Sequence, residues 1–333
     1  MLAMKPQILV IGVGSIGERH LRCFQRTGRA DVMACDANAA LLERVAKEYG
    51  VALFPDFQSA LATRRFDGIV IATPAHTHVD LALTALAHGA SVFIEKPLST
   101  SLSRVDQLCA AAAQSGRFTA VAYVYHLMPW ILGAREFLRS GELGRPLQLT
   151  VTAGQHFPTF RPAYREIYYA RHESGGGAIQ DALTHIANAV EWLVGPTTRL
   201  FCDAAHQALE GVTVEDTVSV TARNGNVLVS YAMNQFQAPN EITIAIHCEG
   251  GSLRVEGHEQ RWSVFRRGAS GWEHHKAAPL ERDDLFIAQA NAFLDGMRGL
   301  PTPLATLDEA ARTLKFNLAA LDSARVGNPF EIK

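Results

Sequence analysis

Short apolar runs alternate with amphipathic stretches through the first 125 residues of the chain. Continuous aliphatic runs occupy residues 7–13, 68–72 and 91–94. Such runs are typical of strands that are buried on both faces of a parallel sheet. Apolar residues at helical spacing mark residues 18–27, 39–49, 79–88 and 102–114. The alternation of strand and helix predicts a doubly wound α/β domain with right-handed crossovers.

The pattern changes near residue 126. Apolar and polar positions alternate, as in half-buried strands, over residues 146–155, 217–233 and 241–257. Asn224-Gly225 interrupts the second stretch, and Asn-Gly supplies the positive φ angles of a tight hairpin turn. Helical patterns cover residues 178–193, 284–297 and 307–326. We therefore predict an α/β domain over residues 1–125 and an α+β domain over residues 126–333, in which a mostly antiparallel sheet carries helices on one face.

Length and charge narrow the function classes. A chain of 333 residues agrees with two domains at roughly 150 residues each. The chain has 31 Lys and Arg against 33 Asp and Glu, a net charge of −2, which gives no electrostatic reason to expect nucleic acid or a membrane surface as a partner. No uninterrupted apolar run reaches the roughly 18 residues of a membrane-spanning helix. Charged residues make up 19%, below the usual value of about 25%, which is consistent with a surface covered by another subunit.

The five cysteines are scattered, odd in number and without a C-x-x-C pair. They are Cys23, Cys35, Cys109, Cys202 and Cys248. This spacing predicts neither a disulfide framework nor a zinc site, and it favours a reducing compartment, the cytoplasm.

A glycine motif follows the first predicted strand. Residues 12–17 form G-x-G-x-x-G between an aliphatic run and a helical pattern, the context of a dinucleotide-binding Rossmann turn. The first glycine permits the tight turn, the second a close approach of pyrophosphate, and the third helix–strand contact. The phosphates would sit at the N-terminus of the following helix. The candidate cofactor-binding residues of this loop are Gly12, Gly14, Ser15, Ile16 and Gly17.

Asp36 lies 19 residues after Gly17, where a carboxylate accepts hydrogen bonds from the adenosine ribose diol. Residues 37–39 are Ala, Asn and Ala, so no basic side chain replaces the acid to receive a 2′-phosphate. This predicts NAD rather than NADP. A flavin or nucleotide-sugar Rossmann domain, or a glycine turn without a ligand, remains an alternative.

The predicted strand at residues 91–94 ends in Glu95-Lys96-Pro97, and another ends before Thr73-Pro74. Both strands end at the carboxyl edge of the sheet, where open α/β domains bind ligands. Lys96 is therefore a candidate catalytic residue. The alternatives are a surface lysine and ordinary strand-ending prolines.

The predicted helix at residues 178–193 follows three glycines and carries Asp181 and His185 at i and i+4, which places both on one face. Histidine titrates near neutrality and suits proton transfer with a hydroxyl, and an adjacent carboxylate can fix its tautomer. The two residues could also be metal ligands or a purely structural pair. The sequence offers no clear third ligand, so we predict no metal.

The order and spacing of four motifs resemble those of the Gfo/Idh/MocA oxidoreductases. The motifs are the glycine motif, ATPAHTH at residues 72–78, EKP at residues 95–97 and GGG-x₃-D-x₃-H at residues 175–185. The resemblance covers essentially the whole chain. It implies an N-terminal Rossmann domain and a C-terminal domain with a large open sheet that commonly serves subunit association, in a homodimer or homotetramer. It also implies a C-terminal helix, about residues 305–326, that packs back on the first domain.

The resemblance also implies residue roles. Lys96 would contact the reacting hydroxyl and the nicotinamide, and His185, oriented by Asp181, would be the acid/base. The residues that would line the nicotinamide ribose are Thr73, Pro74, His78 and Glu95. Where the family often has an aromatic-Asn-Tyr-Arg segment, this chain has Tyr123-Val124-Tyr125-His126, and both Tyr125 and His126 could line the substrate pocket.

Family members typically oxidise or reduce sugars, cyclitols and their derivatives, so we expect a carbohydrate-like substrate. Residues 157–173 interleave arginines, among them Arg161 and Arg165, with tyrosines that could cover a sugar ring. Arginine binds carboxylate or phosphate bidentately, which favours an anionic sugar. The alternative is a solvated loop whose basic residues pair with Glu166 and Glu173.

Two other functions on the same fold remain open. An NAD-dependent glycoside hydrolase would release a sugar without net NADH. A regulator would sense dinucleotide or sugar, but it would have no reason to keep Lys96, Asp181 and His185 together.

Overall fold

A computed structural model describes residues 5–332, which divide into two compact units. The first comprises residues up to Leu127 together with Leu280–Ala311, and the second comprises Met128–Pro279 with the segment from Arg312 onward. The sequence pattern assigned residues 280–311 to the second domain, whereas the chain returns there to the first unit.

The first unit contains a six-stranded parallel sheet. Its strands are β1 (Gln7–Ile11), β2 (Asp31–Cys35), β3 (Leu53–Phe54), β4 (Gly68–Ile71), β5 (Ser91–Ile94) and β6 (Thr119–Val121). Their order is β3-β2-β1-β4-β5-β6, with all neighbours parallel. Every residue of β4 and β5 is buried, as the aliphatic runs predict for a sheet covered on both faces. The predicted doubly wound parallel sheet is confirmed.

Helices connect these strands. They are α1 (Ser15–Arg26), α2 (Ala39–Tyr49), α3 (Phe57–Thr63), α4 (His78–Ala87) and α5 (Val105–Ser115). The Asn38 side chain caps α2 by accepting from the Leu41 amide, and Gly50 ends the helix in the left-handed conformation. These two residues explain why the periodic pattern at residues 39–49 begins and ends where it does.

The second unit contains a nine-stranded sheet. Its strands are β7 (Pro146–Gly154), β8 (Thr197–Ala205), β9 (Thr217–Asn224), β10 (Val227–Asn234), β11 (Glu241–Cys248), β12 (Gly251–Glu256), β13 (Arg261–Arg266), β14 (Glu273–Lys276) and β15 (Phe330–Glu331). The order is β14-β13-β12-β11-β7-β10-β9-β8-β15. Only the β7–β10 pair is parallel, which confirms the mostly antiparallel sheet.

The remaining α-helices within residues 5–332 are α6 (Pro129–Arg139), α7 (Phe157–Phe160), α8 (Thr184–Val194), α9 (Asp284–Gly296) and α10 (Leu307–Val326). Of these, α9 belongs to the first unit. Its Phe293 is fully buried and stacks on Phe93 of β5 with ring centroids 5.3 Å apart. At its start, Asp283 accepts hydrogen bonds from Arg19 and Arg22 of α1. Apolar packing and this ion pair together hold residues 280–296 on the Rossmann sheet.

The predicted hairpin between β9 and β10 forms, but its turn is displaced by one residue. Asn224 pairs with Val227, so the two turn residues are Gly225 and Asn226 rather than Asn224 and Gly225. Positive φ falls on Gly225, at 58°. The side chain of Asn224 is instead buried and donates to the Gly195 carbonyl. This tertiary contact keeps Asn224 in the strand.

Within residues 5–332, no helix combines the length and the apolar character needed to span a bilayer. In the same part of the chain, no group of three or more His, Cys, Asp or Glu residues is arranged to hold a metal ion. The cysteines are unbridged, and all except Cys109 are buried.

Candidate active-site residues

The predicted residues of the first unit follow the carboxyl ends of neighbouring strands. Gly12 follows β1, Asp36 follows β2, Thr73 lies beyond β4, and Lys96 lies beyond β5. The strand order reverses between β1 and β4, and open α/β sheets bind ligands in the crevice at such a switch point. The fold therefore brings these residues to the sheet edge predicted from the sequence.

Two glycines of the loop are required by the protein itself. Gly12 has φ of 82°, and a Cβ there would lie 2.8 Å from the Ala72 carbonyl oxygen. A Cβ at Gly17 would overlap the carbonyl oxygen of Gly12. Glycine at both positions lets α1 pack against the ends of β1 and β4.

Gly14 has a different role, because the protein leaves space around it. Its φ is −63°, which any residue adopts, and a Cβ there would meet nothing within 4 Å. It is the N-cap of α1, where no side chain caps the first-turn amides. The amides of Ser15 and Ile16 are in that first turn. An open space before an uncapped helix N-terminus fits a pyrophosphate group.

Asp36 is tied to the glycine loop. Its Oδ2 accepts from the Val13 amide at 2.8 Å, and its Oδ1 accepts from the Asn38 amide at 2.8 Å. A carboxylate has about four acceptor positions, so each oxygen keeps one for a further donor. The carboxylate can thus shape the loop and still bind a ribose diol. These residues fit an NAD dinucleotide.

His78 is buried between two of the loops at this edge. Its Nε2 lies 2.8 Å from the Thr73 carbonyl oxygen, and its Nδ1 lies 3.1 Å from that of Pro97. Burial lowers the pKa of His78, which favours the neutral ring, and a neutral ring donates to one of these two carbonyls. Both nitrogens face the protein. Contact of His78 with the ribose remains a prediction. The contacts that His78 makes within the protein hold the backbone at Thr73 and Pro97.

Glu95 is also engaged by the protein. Its Oε1 lies 2.6 Å from Nε2 of His20, and its Oε2 accepts from the Lys96 amide at 3.0 Å. Burial alone would raise the pKa of Glu95, but the hydrogen bond from His20 and the charge of Lys96 hold the pKa below its ordinary value. The side chain of Lys96 itself is half-buried.

Tyr125 and His126 lie in a short 3₁₀ turn after β6. Tyr125 is half-buried, whereas His126 is fully buried and its Nδ1 lies 2.9 Å from the Pro303 carbonyl oxygen. His126 therefore contacts the chain segment that returns to the first unit. Its contact with substrate stays a prediction.

In the second unit, Gly177, the last of the three glycines, leaves room for Glu215 to hold the start of a helix. A Cβ at Gly177 would lie 2.6 Å from the Glu215 carboxylate oxygens. Glu215 Oε1 accepts from the Ile179 amide at 2.9 Å, and its carbonyl accepts from the Ala178 amide. The buried carboxylate thus substitutes for a missing N-terminal cap.

The helix predicted over residues 178–193 begins with a π-helical turn, Ile179–Leu183, before α8. Asp181 lies in the π turn, and His185 is the second residue of α8. The prediction of one regular helix over residues 178–193 is therefore wrong in detail, because Asp181 and His185 lie on either side of this change in helix geometry. Single π turns inside α-helices occur often at functional sites.

Asp181 is 2% exposed and accepts a hydrogen bond from the Tyr168 hydroxyl at 2.6 Å on Oδ1. The guanidinium of Arg161 lies 3.9 Å from Oδ2. His185 is half-buried. The segment at residues 157–174 therefore supplies a hydroxyl donor and a nearby cation to the buried carboxylate.

The same segment borders a cavity of about 500 Å³, whose lining includes Arg165, Tyr168, Arg171 and Ser174. Arg165 donates through Nε to the Glu210 carbonyl at 2.8 Å. His172 lies 2.5 Å from Oε2 of Glu215, and this hydrogen bond raises the pKa of His172. Arg165 and His172 thus form ion pairs with Glu210 and Glu215, which lie outside this segment.

Three partners in this arrangement were not predicted as site residues. His20 reaches Glu95, Tyr168 reaches Asp181, and Glu215 holds the π turn. Only the first of these contacts has a sign in the sequence, because His20 lies among the apolar residues of α1, where a histidine needs a buried polar partner. The contacts of Tyr168 and Glu215 cross 13 and 36 residues, and no periodic pattern reports them.

Comparisons with known proteins agree with the fold and the motifs. Residues 7–123 match the Gfo/Idh/MocA model described as an oxidoreductase family with an NAD-binding Rossmann fold, and residues 131–254 match its C-terminal domain. Inositol 2-dehydrogenase of Acidothermus cellulolyticus is 33% identical over 191 residues, which cover 56% of this chain and 53%, about half, of that enzyme. The 1,5-anhydro-D-fructose reductase of Ensifer adhaerens is 25% identical over 80% of each chain.

Among solved structures, levoglucosan dehydrogenase in complex with NADH and levoglucosan superimposes with a TM-score of 0.88 over 99% of this chain and 100% of that one, at 19% identity. Similarity at this identity shows the shared fold. The family matches cover both units and confirm the resemblance carried by the motifs. The chain belongs to the Gfo/Idh/MocA family of oxidoreductases.

Proposed function

We propose that this protein is an NAD-dependent oxidoreductase that transfers a hydride between a secondary alcohol carbon of a sugar or cyclitol and nicotinamide. The observation that carries the proposal is the glycine loop fixed by Asp36. Asp36 orders the loop through the Val13 amide, Gly14 leaves room for phosphate, and each carboxylate oxygen keeps an acceptor position. When bound, the dinucleotide supplies the hydride chemistry, and the protein supplies position and electrostatics.

The proton of the alcohol is assigned to His185. An imidazole changes charge near neutrality and can take a hydroxyl proton in one direction and return it in the other. Asp181, buried and hydrogen-bonded by Tyr168, is the carboxylate proposed to orient it. Lys96 is proposed to donate a hydrogen bond to the substrate oxygen, where its positive charge stabilises developing negative charge.

The substrate is proposed to be polyhydroxylated, with an anionic group as the finer assignment. The cavity beside residues 157–174 has two arginines in its lining, Arg165 and Arg171, and guanidinium groups bind carboxylates bidentately. A sugar acid should therefore give a lower KM than the corresponding neutral sugar. An Arg171→Gln variant should remove that preference while the rate with the neutral sugar stays unchanged.

Subunit association is proposed through the exposed face of the nine-stranded sheet. Phe201 and Leu228 are 39% and 49% exposed, and the strand register places them on one face. A Leu228→Glu variant should shift the mass measured by light scattering toward the monomer. We also propose a cytoplasmic location, which the unbridged cysteines support.

The direct test is a panel of sugars, sugar acids and inositols with NAD and NADP, followed by the absorbance of the reduced nicotinamide. Lys96→Ala and His185→Ala should each lower kcat by about 10²-fold or more, with NAD affinity retained. Lys47→Ala and His88→Ala, at exposed positions, are the matched controls. The proposal would be overturned if no compound in the panel reduced NAD, or if the protein released free sugar without forming NADH.

A further inference from the structure

A buried histidine and a buried glutamate meet beneath the carboxyl edge of the Rossmann sheet. His20 and Glu95 are 1% and 7% exposed, and His20 Nε2 lies 2.6 Å from Glu95 Oε1. The His20 ring otherwise packs against Phe93 and Phe286, with ring centroids 5.6 and 5.4 Å away. Within residues 5–332, its Nδ1 is buried without a hydrogen-bond partner. The polar contact of this side chain is therefore directed to Glu95.

The placement of His20 is costly for a purely structural residue. A buried polar atom without a partner costs about 1–3 kcal/mol, and an apolar side chain of similar volume would avoid that cost among these aromatic rings. A role in holding Glu95 gives a reason for a histidine at this position.

The second oxygen of Glu95 points to a function for the pair. Glu95 Oε2 accepts from the backbone amide of Lys96 at 3.0 Å. His20 lies on α1, one turn beyond Gly17 of the glycine loop. One carboxylate therefore joins the cofactor-loop helix to the backbone of the lysine.

We propose that His20 and Glu95 are positioning residues that fix Lys96 relative to the glycine loop. The proposal rests on the role of Lys96 given under the proposed function. Neither residue contacts the reacting atoms. Each acts by holding the Lys96 backbone in one place, so that its ammonium group meets the substrate oxygen without a search among conformations.

Two substitutions at His20 separate positioning from filling space. In His20→Gln, the amide nitrogen lies near the position of Nε2 and can still donate to Glu95. His20→Met has similar volume and no donor. We expect His20→Met and Glu95→Gln to lower kcat about 10–100-fold, the usual effect of losing a residue that orients a functional group, while His20→Gln stays within about fivefold of wild type.

A double-mutant comparison tests whether the pair acts through Lys96. In a Lys96→Ala background, assayed at high enzyme concentration for residual turnover, adding His20→Met should lower kcat less than about twofold, because residues that act as a unit are not additive. The affinity for NADH should stay within about threefold of wild type in each His20 variant. His88→Met, at an exposed position on the end of α4, is the matched control.

The outcomes are distinguishable. The inference is wrong if folded His20→Met and Glu95→Gln keep wild-type kcat while Lys96→Ala does not. It is also wrong if His20→Gln loses as much as His20→Met, or if the loss from His20→Met is equally large without Lys96. Full activity of Lys96→Ala alone would instead refute the proposed role of Lys96. Thermal unfolding reports whether each variant is folded, and if His20→Met is not, Glu95→Gln carries the same double-mutant test.

Discussion

Asp36→Asn tests whether the carboxylate at the end of β2 receives the adenosine ribose. Asp36 uses one position on each oxygen to accept from Val13 and Asn38, and one position on each remains. In asparagine, one oxygen becomes an NH₂ group that can only donate. The variant therefore loses one of the two remaining acceptor positions. It also places its NH₂ group opposite a backbone amide, so that two donors face each other where a hydrogen bond existed.

The expected loss follows from that count. A hydrogen bond to a charged group contributes about 1.5–3 kcal/mol, and each 1.4 kcal/mol is a factor of ten in affinity. Losing one ribose hydrogen bond should therefore weaken NADH binding roughly 10- to 150-fold. The lost bond to a loop amide should appear separately, as a decrease of about 1 kcal/mol in the free energy of unfolding without cofactor.

The assay is titration of NADH by nicotinamide fluorescence, together with urea unfolding of the cofactor-free protein. Asp31→Asn is the matched control, because Asp31 starts the same strand and accepts from the exposed Gln7 side chain. NADH affinity within about threefold of wild type, in a folded Asp36→Asn protein, would refute the assignment of this carboxylate to the ribose.

Three further predictions concern other parts of the molecule. Gly14→Ala should lower the free energy of unfolding by no more than about 1 kcal/mol, because a Cβ meets nothing within 4 Å and only the preference of the N-cap for glycine over alanine is lost, yet it should weaken NADH binding at least tenfold in the same titration. The hydrogen bond to Glu215 raises the pKa of His172 above its ordinary 6.5, so the stability it contributes is present below that pH and is lost as pH rises through the raised pKa. The difference in Tm between wild type and His172→Gln should therefore shrink from about pH 6 to pH 9, and a constant difference would contradict the ion pair. Phe293→Ala should cost about 3–5 kcal/mol in urea unfolding, whereas Phe160→Ala, at a site 50% exposed, should cost almost nothing.

The fold was predictable where the burial of an element decides its pattern. The aliphatic run at residues 91–94 coincides with β5, and the periodic stretch at residues 39–49 coincides with α2. Both are local consequences of burial, which a sequence displays directly. The return of residues 280–311 to the first unit was not predictable in this way. The pattern of α9 shows that one face is apolar, but not which sheet Phe293 packs against.

The candidate site shows the same division. The glycine motif with Asp36 and the EKP segment lie at the predicted sheet edge, because strand ends determine their position. The π turn that contains Asp181 depends on Glu215, which is 36 residues from Ile179 and occupies the space that glycine leaves at residue 177. A helical pattern of five residues is too short to distinguish an α turn from a π turn, because the two differ in which backbone carbonyl each amide reaches.

Three acidic residues beside the loops of the candidate site have the same structural role. Asp36 accepts from the Val13 amide, Glu95 from the Lys96 amide, and Glu215 from the Ile179 amide. A loop that must approach a ligand cannot satisfy its backbone donors with a regular ladder, and each buried donor left alone costs free energy. A carboxylate satisfies such an amide with one oxygen and keeps the other for a second group, here Asn38, His20 and His172. Substituting any of the three by alanine should therefore disturb the loop before it disturbs the ligand, which is why the isosteric amide is the informative replacement.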